Sequence, residues 1–173
     1  MEQGVDRAPG LLTTRWVAGA VLGASAGALT VAFLSQYVGG LEPCTLCIYQ
    51  RYPYGVAISL AFLALGVGGR LAVAAIALAA VVFAVDAGIA FYHVGVEQGW
   101  FAGLAACGGQ AGTPASLADL KAQLLATPPG PRCDEVPWSL FGVSMAGYNM
   151  LYAAALAVAT FAAVVALARR GAT

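Results

Sequence analysis

Residues 71–94, LAVAAIALAAVVFAVDAGIAFYHV, form a long apolar stretch with a single acidic side chain, Asp86. A helix needs about 20 apolar residues to cross a hydrocarbon core of roughly 30 Å, so this stretch predicts a membrane-spanning helix. Residues 48–68 form a second such stretch, and only Gly68, Gly69 and Arg70 lie at the junction between the two. The two stretches are therefore predicted to form a tight helical hairpin.

Two further apolar stretches, residues 16–38 and 144–168, are also long enough to cross a membrane. The chain of 173 residues is 61% hydrophobic and 9% charged, with a mean hydropathy of +0.82. Soluble domains carry about 25% charged residues. We therefore predict an all-α membrane protein, a four-transmembrane-helix bundle that forms a single integral-membrane domain over residues 1–173. Its zero net charge suggests no nucleic-acid partner.

The first apolar stretch has one alternative interpretation, a cleaved signal peptide. Arg15 precedes it, and residues 24–26, Ala-Ser-Ala, resemble a cleavage site. The apolar run is longer than the 7–15 residues of a signal peptide, which favours a membrane span. Small residues spaced four apart allow two helices to approach closely in lipid, so this stretch is expected to pack through one glycine face. That face carries Gly19, Gly23 and Gly27.

The arginines predict the orientation of the four spans. Five of them fall on one side of an alternating bundle: Arg7, Arg15, Arg70, Arg169 and Arg170. The positive-inside rule therefore places both termini and the turn at Arg70 in the cytoplasm. The loops at residues 39–47 and 95–143 then lie outside, together with all four cysteines, where disulfides form and persist.

Cys44 and Cys47 form a C-x-x-C pair at the external mouth of the second span. A helix start favours the thiolate, which is the nucleophile in disulfide exchange. Arg51 follows Cys47 by four residues, so in a continuous helix its guanidinium would lie within reach of that sulfur. A helix that begins at Pro53 would be too short to span, so we expect one that begins near Cys44 and is kinked at Pro53.

Other uses of this pair are less consistent with the sequence. A c-type haem requires histidine after the second cysteine, and residue 48 is isoleucine. Zinc sites of four cysteines usually combine two short C-x-x-C units, and Cys107 and Cys133 are too far apart in sequence for that. No metal site is therefore predicted. A structural disulfide stays open as an alternative, although C-x-x-C is the spacing of redox pairs.

Cys107 and Cys133 form a second pair in the long loop. Glycines and prolines flank both, which makes the loop accessible to a protein partner. Two such cysteines alone would indicate a structural disulfide, but beside a C-x-x-C pair a thiol–disulfide relay is the better account. Between them, Thr113 and Pro114 predict the start of a short amphipathic helix. It either lies in the membrane interface or packs on the other loop.

The electron acceptor is predicted by what the chain lacks. It has no G-x-G-x-x-G motif and no soluble domain for a flavin or nicotinamide, so a lipid-soluble quinone is the expected acceptor. His93 is the single histidine and lies at the external end of the third span, where a purely interfacial role is equally consistent with composition. Asp86 either belongs to a proton path or bonds to a neighbouring helix, and we prefer the second interpretation.

The motifs resemble those of the DsbB family of disulfide bond formation proteins. Residues 42–51, EPCTLCIYQR, are similar to the first-loop motif of that family, a proline and a C-x-x-C pair followed four residues on by arginine. Tyr92-His93, Cys107 and Arg132-Cys133, with Trp138 behind, follow the same order. The resemblance covers all four spans and both loops. Gln50 and Pro53 depart from the best-known members.

The resemblance implies a thiol oxidase of the bacterial inner membrane with periplasmic cysteines. Cys44 and Cys47 would face the quinone, either ubiquinone or menaquinone, with Cys47 as the sulfur that meets it. Arg51 and His93 would complete the quinone site. Cys107 and Cys133 would oxidise a DsbA-like periplasmic protein of the thioredoxin fold. Cys107 would form the mixed disulfide, and Cys133 would pair transiently with Cys44.

Two alternatives remain. An enzyme of the vitamin K epoxide reductase type shares the four helices, the C-x-x-C pair and the quinone, but there the pair follows the loop cysteines in sequence, whereas here it precedes them. A non-catalytic membrane scaffold would use the four cysteines as two structural disulfides. Such disulfides resist reduction by the glutathione pool, whereas catalytic ones respond to it.

Overall fold

A computed structural model describes residues 8–104, 116–118, 121 and 131–170. Among these residues, five helices and one short hairpin have described bounds. The helices are α1 (Ala8–Tyr37), α2 (Thr45–Tyr49), α3 (Arg51–Gly66), α4 (Gly69–Glu97) and α5 (Met145–Arg170). The hairpin pairs β1 (Ser139–Leu140) antiparallel with β2 (Val143–Ser144). Phe141 and Gly142 form its two-residue turn, and both have positive φ. The second strand, β2, leads directly into α5.

Among the described residues, three helices are long and apolar enough to cross a membrane, over Thr13–Tyr37, Gly69–Glu97 and Met145–Arg169. They confirm the first, third and fourth predicted spans. The second differs because α3 has only 16 residues. Together with α2, residues 45–66 would extend about 33 Å at 1.5 Å per residue, comparable to the hydrocarbon core. The fourth crossing stays a prediction.

The interruption between α2 and α3 lies at Gln50 and is explained by Pro53. Proline has no amide hydrogen to bond the carbonyl four residues earlier, and its ring crowds that carbonyl. In this chain that carbonyl belongs to Tyr49, the last residue of α2. The helix therefore begins beside Cys44 as expected, but it breaks about one turn before Pro53. As a result Cys47 and Arg51 lie on different helices.

Small side chains form most of the interior of the bundle. α1 packs mainly on α3, α3 on α4, and α4 on α5. Alanine at the contact positions allows backbones to approach closely without a large side chain between them. The buried alanines in the two cores between these helices are Ala18, Ala57, Ala61, Ala64, Ala72, Ala75 and Ala79.

The expected glycine face of α1 does not pack on another helix. Gly19, Gly23 and Gly27 are exposed, and a Cβ at any of them would meet open space. The buried side of α1 carries Ala18, Val21 and Ser25 among other residues. The prediction of close approach through the glycines is therefore wrong.

The predicted amphipathic helix lies mostly outside the described residues, including Thr113 and Pro114. Of this segment the structure describes Ser116–Ala118 and Lys121. Leu117, Ala118 and Lys121 have helical backbone, and Leu117 is 87% exposed. Neither the interfacial position nor packing on the other loop is tested by these residues.

Candidate functional site

Cys44 and Cys47 form a reduced dithiol at one end of the bundle, here called the cysteine end. Cys44 caps α2, and its Sγ accepts a hydrogen bond from the backbone N–H of Cys47 at 3.3 Å. The two sulfur atoms lie 3.0 Å apart, and both residues are free thiols. The pair can therefore close or reopen a disulfide with little movement.

The environment distinguishes the two thiols. Hydrogen bonding with Cys47, followed by contact with His93, lowers the pKa of Cys44 well below the usual range of a thiol. The same hydrogen bond, followed by burial, raises the pKa of Cys47. Cys44 is thus the more acidic thiol of the pair.

Arg51 faces the first helix. Its Nη1 donates a hydrogen bond to Oε1 of Gln36 at 2.7 Å, and its guanidinium carbon lies 5.0 Å from the centre of the Phe33 ring. A cation over an aromatic face is attracted by the ring quadrupole. These contacts hold the charge on the wall of a cavity that Cys47 also lines.

His93 is buried between the dithiol and the helices behind it. Its Nε2 lies 3.5 Å from Sγ of Cys44 and 3.9 Å from Oε1 of Glu97, and its Nδ1 lies 2.8 Å from Nε2 of Gln50. Glu97 in turn accepts a hydrogen bond from the Ser144 hydroxyl at 2.5 Å. The sequence predicted His93 near the site, and the structure places it against Cys44.

The same cluster has three atoms of the types that bind soft metal ions. The sulfurs of Cys44 and Cys47 and a ring nitrogen of His93 all lie within 4.8 Å of one another. Structural zinc sites take four ligands, so these three would leave one position open. The geometry fits a redox dithiol equally well, and C-x-x-C is the spacing that redox chemistry uses.

A buried hydrogen-bonded chain continues from His93 into the bundle. Asn149 on α5 donates from Nδ2 to Oε1 of Gln50 at 2.8 Å and to Oδ2 of Asp86 at 3.2 Å. Tyr54 donates from its hydroxyl to Oδ1 of Asn149 at 2.6 Å. The interpretation of Asp86 as a bond to a neighbouring helix is confirmed. Sequence reasoning missed Gln50, Tyr54 and Asn149 as site residues, although a polar Asn149 inside an apolar span was a visible signal.

A cavity of about 660 Å³ opens beside the dithiol between α1 and α5. Ligand pockets have volumes of about 300–1,000 Å³, mostly apolar with a few polar groups. Mostly small and apolar side chains of α1 line one wall, and Met145, Ala146 and Tyr152 are among the α5 residues that line the other. Its polar end carries Cys44, Cys47, Gln50, Arg51, His93 and Glu97. Below that end, the Tyr152 hydroxyl of α5 donates to the carbonyl of Ala24 on α1 at 3.1 Å.

Cys133 lies close to the dithiol in the fold although it is distant in sequence. It is fully buried and disulfide-bonded, and it packs in one cluster with Cys44, Leu46 and Val96. Cys107, the predicted second cysteine of the loop pair, lies outside the described residues. The structure therefore places an oxidised loop cysteine beside a reduced C-x-x-C pair.

Comparisons with known proteins agree on one family. The family model described as Disulfide bond formation protein DsbB matches residues 14–163. Disulfide bond formation protein B of Xanthomonas campestris is 33% identical over 145 residues, which cover 78% of this chain and 81% of that protein. Disulfide bond formation protein B of Marinobacter nauticus is 47% identical over 55 residues, 30% of this chain and 33% of that protein. An uncharacterized protein of Rickettsia prowazekii is 29% identical over 126 residues, 72% of each chain. No solved structure matches.

Proposed function

The chain belongs to the DsbB family of disulfide bond formation proteins, and we propose that it oxidises a DsbA-like periplasmic dithiol and delivers the electrons to a membrane quinone. Membership of the family makes it a membrane thiol oxidoreductase of disulfide formation and separates it from the vitamin K epoxide reductase type. The acceptor, the partner and the orientation in the membrane are the proposed parts.

The observation that carries the proposal is the position of the reduced dithiol. Cys44 and Cys47 line the polar end of a cavity whose remaining walls are mostly apolar helix surfaces. A thiol pair that exchanged only with water-soluble proteins would gain nothing from such a cavity. An apolar acceptor that dissolves in the bilayer, by contrast, would find there both a suitable volume and the electron donor.

The residues at the cavity fit a quinone. Quinone carbonyls only accept hydrogen bonds, and the Arg51 guanidinium offers donors that never deprotonate in proteins. Cys47, Arg51 and His93 would therefore hold the polar ring, and the apolar walls from α1 and α5 would hold the isoprenoid side. When bound, a quinone supplies an acceptor for two electrons and two protons, which is what closure of one disulfide releases.

The exchange steps preceding that transfer need only the four cysteines. A partner thiolate attacks the loop disulfide at Cys107 and releases Cys133, and the second partner thiolate then resolves the mixed disulfide. The freed Cys133 thiolate attacks Cys44 of an oxidised C-x-x-C pair and releases Cys47. Cys107 then attacks Cys133, which restores the loop disulfide and leaves Cys44 and Cys47 reduced. Packing of Cys133 in one cluster with Cys44 supports this order.

Reconstitution of the purified chain tests the function. The protein in detergent is mixed with a reduced DsbA-like protein and a water-soluble quinone, and quinone absorbance and partner thiols are followed together. We expect one quinone reduced for each disulfide formed in the partner. Partner oxidation without quinone reduction would show a different acceptor. No partner oxidation by any quinone would contradict the proposal.

A further inference from the structure

Asp86 is a buried carboxyl group that the exchange steps above do not use. It lies in the interior of α4 with no exposed surface. Its Oδ2 accepts a hydrogen bond from Asn149, and its Oδ1 has no hydrogen-bond partner among the described residues. Burying a carboxyl group in an apolar bundle is costly, so a definite role in the structure or the chemistry is expected.

The contact with Asp86 determines how the Asn149 amide is turned. An ionised Asp86 carboxylate can only accept hydrogen bonds, so the Asn149 NH₂ group faces its Oδ2. The second hydrogen of that NH₂ group is donated to Oε1 of Gln50 at 2.8 Å. The Tyr54 hydroxyl donates a hydrogen bond to Oδ1 of Asn149 at 2.6 Å. All three bonds agree with one orientation of the amide.

The orientation of Asn149 then fixes Gln50 and, through it, His93. Because the Gln50 oxygen faces Asn149, its NH₂ group faces Nδ1 of His93 at 2.8 Å. An NH₂ group can only donate, so Nδ1 must accept and carries no proton. A neutral imidazole has its proton on the other nitrogen, Nε2. Nε2 is the atom that lies 3.5 Å from Sγ of Cys44.

We propose that Asp86, Asn149 and Gln50 are positioning residues for the dithiol: they hold His93 in the tautomer whose Nε2–H points at Cys44. The inference rests on the proposed function, which gives a thiolate at Cys44 its use. A hydrogen bond to the charged form of a group stabilises that form, so this tautomer stabilises the Cys44 thiolate that is released when Cys107 attacks Cys133. The opposite tautomer would present a lone pair to the sulfur and repel the anion.

The other groups around Cys44 are compatible with this arrangement. The backbone N–H of Cys47 on α2 donates to the same sulfur, and Tyr92 on α4 packs against the cluster that contains Cys44. Glu97 on α4 lies 3.9 Å from Nε2 of His93 and, as an acceptor, also favours a proton there. Arg51 on α3 lines the same cavity but is bonded to Gln36.

The tautomer is directly measurable because the chain contains a single histidine, His93. The full-length protein, labelled with ¹⁵N-histidine and purified in detergent through a tag without histidine, gives one pair of ring nitrogen resonances. In the reduced protein we expect Nδ1 at the frequency of an unprotonated nitrogen and Nε2 at that of a protonated one. A proton on Nδ1 in the wild-type protein would overturn the proposal without any variant.

Variants distinguish the effect of Asp86 and Asn149 from that of the direct contact between Gln50 and His93. Asn149→Leu removes the residue that joins Asp86 to Gln50 but keeps Gln50 beside His93. Asp86→Leu removes the first residue of this hydrogen-bonded series. In both we expect the second tautomer to appear as a shift of the two ¹⁵N resonances toward each other. Thr160→Val is the matched control. It removes a buried polar group of α5 that takes no part in the hydrogen bonds between Asp86, Asn149, Gln50 and His93. Wild-type resonances in Asn149→Leu would overturn the proposal.

The consequence for the sulfur is measured by alkylation. Modification of Cys44 by iodoacetamide, followed by mass spectrometry over a range of pH, reports its thiolate fraction. We expect the midpoint to move up by about one pH unit in Asn149→Leu and to stay in place in Thr160→Val. An unchanged midpoint in Asn149→Leu would contradict the role assigned to the chain. Both measurements use neither partner nor quinone, so their failure is distinguishable from failure of the proposed function.

Discussion

At the scale of single residues, Arg51 brings a positive charge to the wall of a largely apolar cavity. One guanidinium nitrogen donates to Gln36, and the guanidinium lies over the Phe33 ring. These contacts hold the charge on the wall of the cavity that Cys47 also lines. A fixed cation at this position can stabilise the negative charge that develops on an electron acceptor as it is reduced. We therefore propose that Arg51 acts on the quinone rather than on the sulfur.

Arg51→Ala should lower kcat/KM for quinone by about 10- to 100-fold, the loss expected for a hydrogen bond to a charged group. Arg51→Lys should recover only part of it, because an ammonium group lacks the planar fork of guanidinium. Stopped-flow quinone reduction measures both, with Arg70→Ala at the opposite end of the bundle as the control. Equal quinone kinetics in wild type and Arg51→Ala would leave Arg51 as an interfacial anchor only.

The sequence predicts which residues form the site better than it predicts their contacts. Spacing along one helix indicated Cys44, Cys47 and Arg51, since each lies within a turn or two of the next. The contact of His93 with Cys44 joins residues 49 positions apart, and that of Asn149 with Gln50 joins residues 99 apart. Such contacts depend on how the helices pack, and no local spacing encodes that.

At the scale of helices, the sequence predicts the length of each spanning helix well, but it predicts poorly which face of a helix is buried. Apolar runs determine where α1, α4 and α5 can cross a bilayer, since length and composition alone decide that. The buried face of α1 was predicted wrongly because small residues occur on two of its sides. Gly19 and Gly23 form one face, whereas Ala18 and Ser25 lie on the other, which packs on the bundle. In a helix apolar all round, periodicity no longer identifies the inside.

The end of α4 offers a test of packing at this scale. Gly95 lies under the Phe101 ring, which stacks on Tyr92 with ring centres 5.6 Å apart, and a Cβ at residue 95 would overlap that ring. Gly95→Ala should displace Phe101 and destabilise the protein by about 1 kcal/mol, the value of an aromatic pair. Thermal unfolding in detergent should show a lower midpoint than wild type.

Gly88→Ala is the matched control for this change. It lies on the same helix, and a Cβ there would meet open space. Alanine is a better helix former than glycine, so we expect an equal or slightly higher midpoint than wild type. A similar loss in Gly88→Ala and Gly95→Ala would show that glycine itself, rather than the Phe101 contact, is required.

At the scale of the whole molecule, the two cysteine pairs should divide their work. Cys107→Ser should abolish oxidation of a DsbA-like protein, because a folded partner reaches the loop pair first. The same variant should keep appreciable quinone reduction with a small dithiol, which can reach Cys44 and Cys47 directly. Cys47→Ser should abolish both reactions, since no pair then remains beside the acceptor. An equal loss of the small-dithiol reaction in both variants would contradict this order.

The proposed orientation is tested by reporters fused to the chain. Fusions at either terminus and at the Arg70 turn should report cytoplasm, and one near Lys121 should report periplasm. A cytoplasmic Lys121 would place the cysteines in a reducing compartment, where stable disulfides are rare. That result would end the oxidase proposal.

The gap between α1 and α5 has a consequence for how long the protein survives. These first and last helices of the bundle meet beside a large cavity, and the Tyr152–Ala24 hydrogen bond lies near its base. A molecule that binds in this gap contacts both helices and stabilises the folded state. At a concentration of one hundred times its Kd, it raises the free energy of unfolding by about 2.7 kcal/mol. We therefore expect resistance to heat and proteases to follow the supply of the acceptor, so that a bilayer poor in it would hold a shorter-lived enzyme.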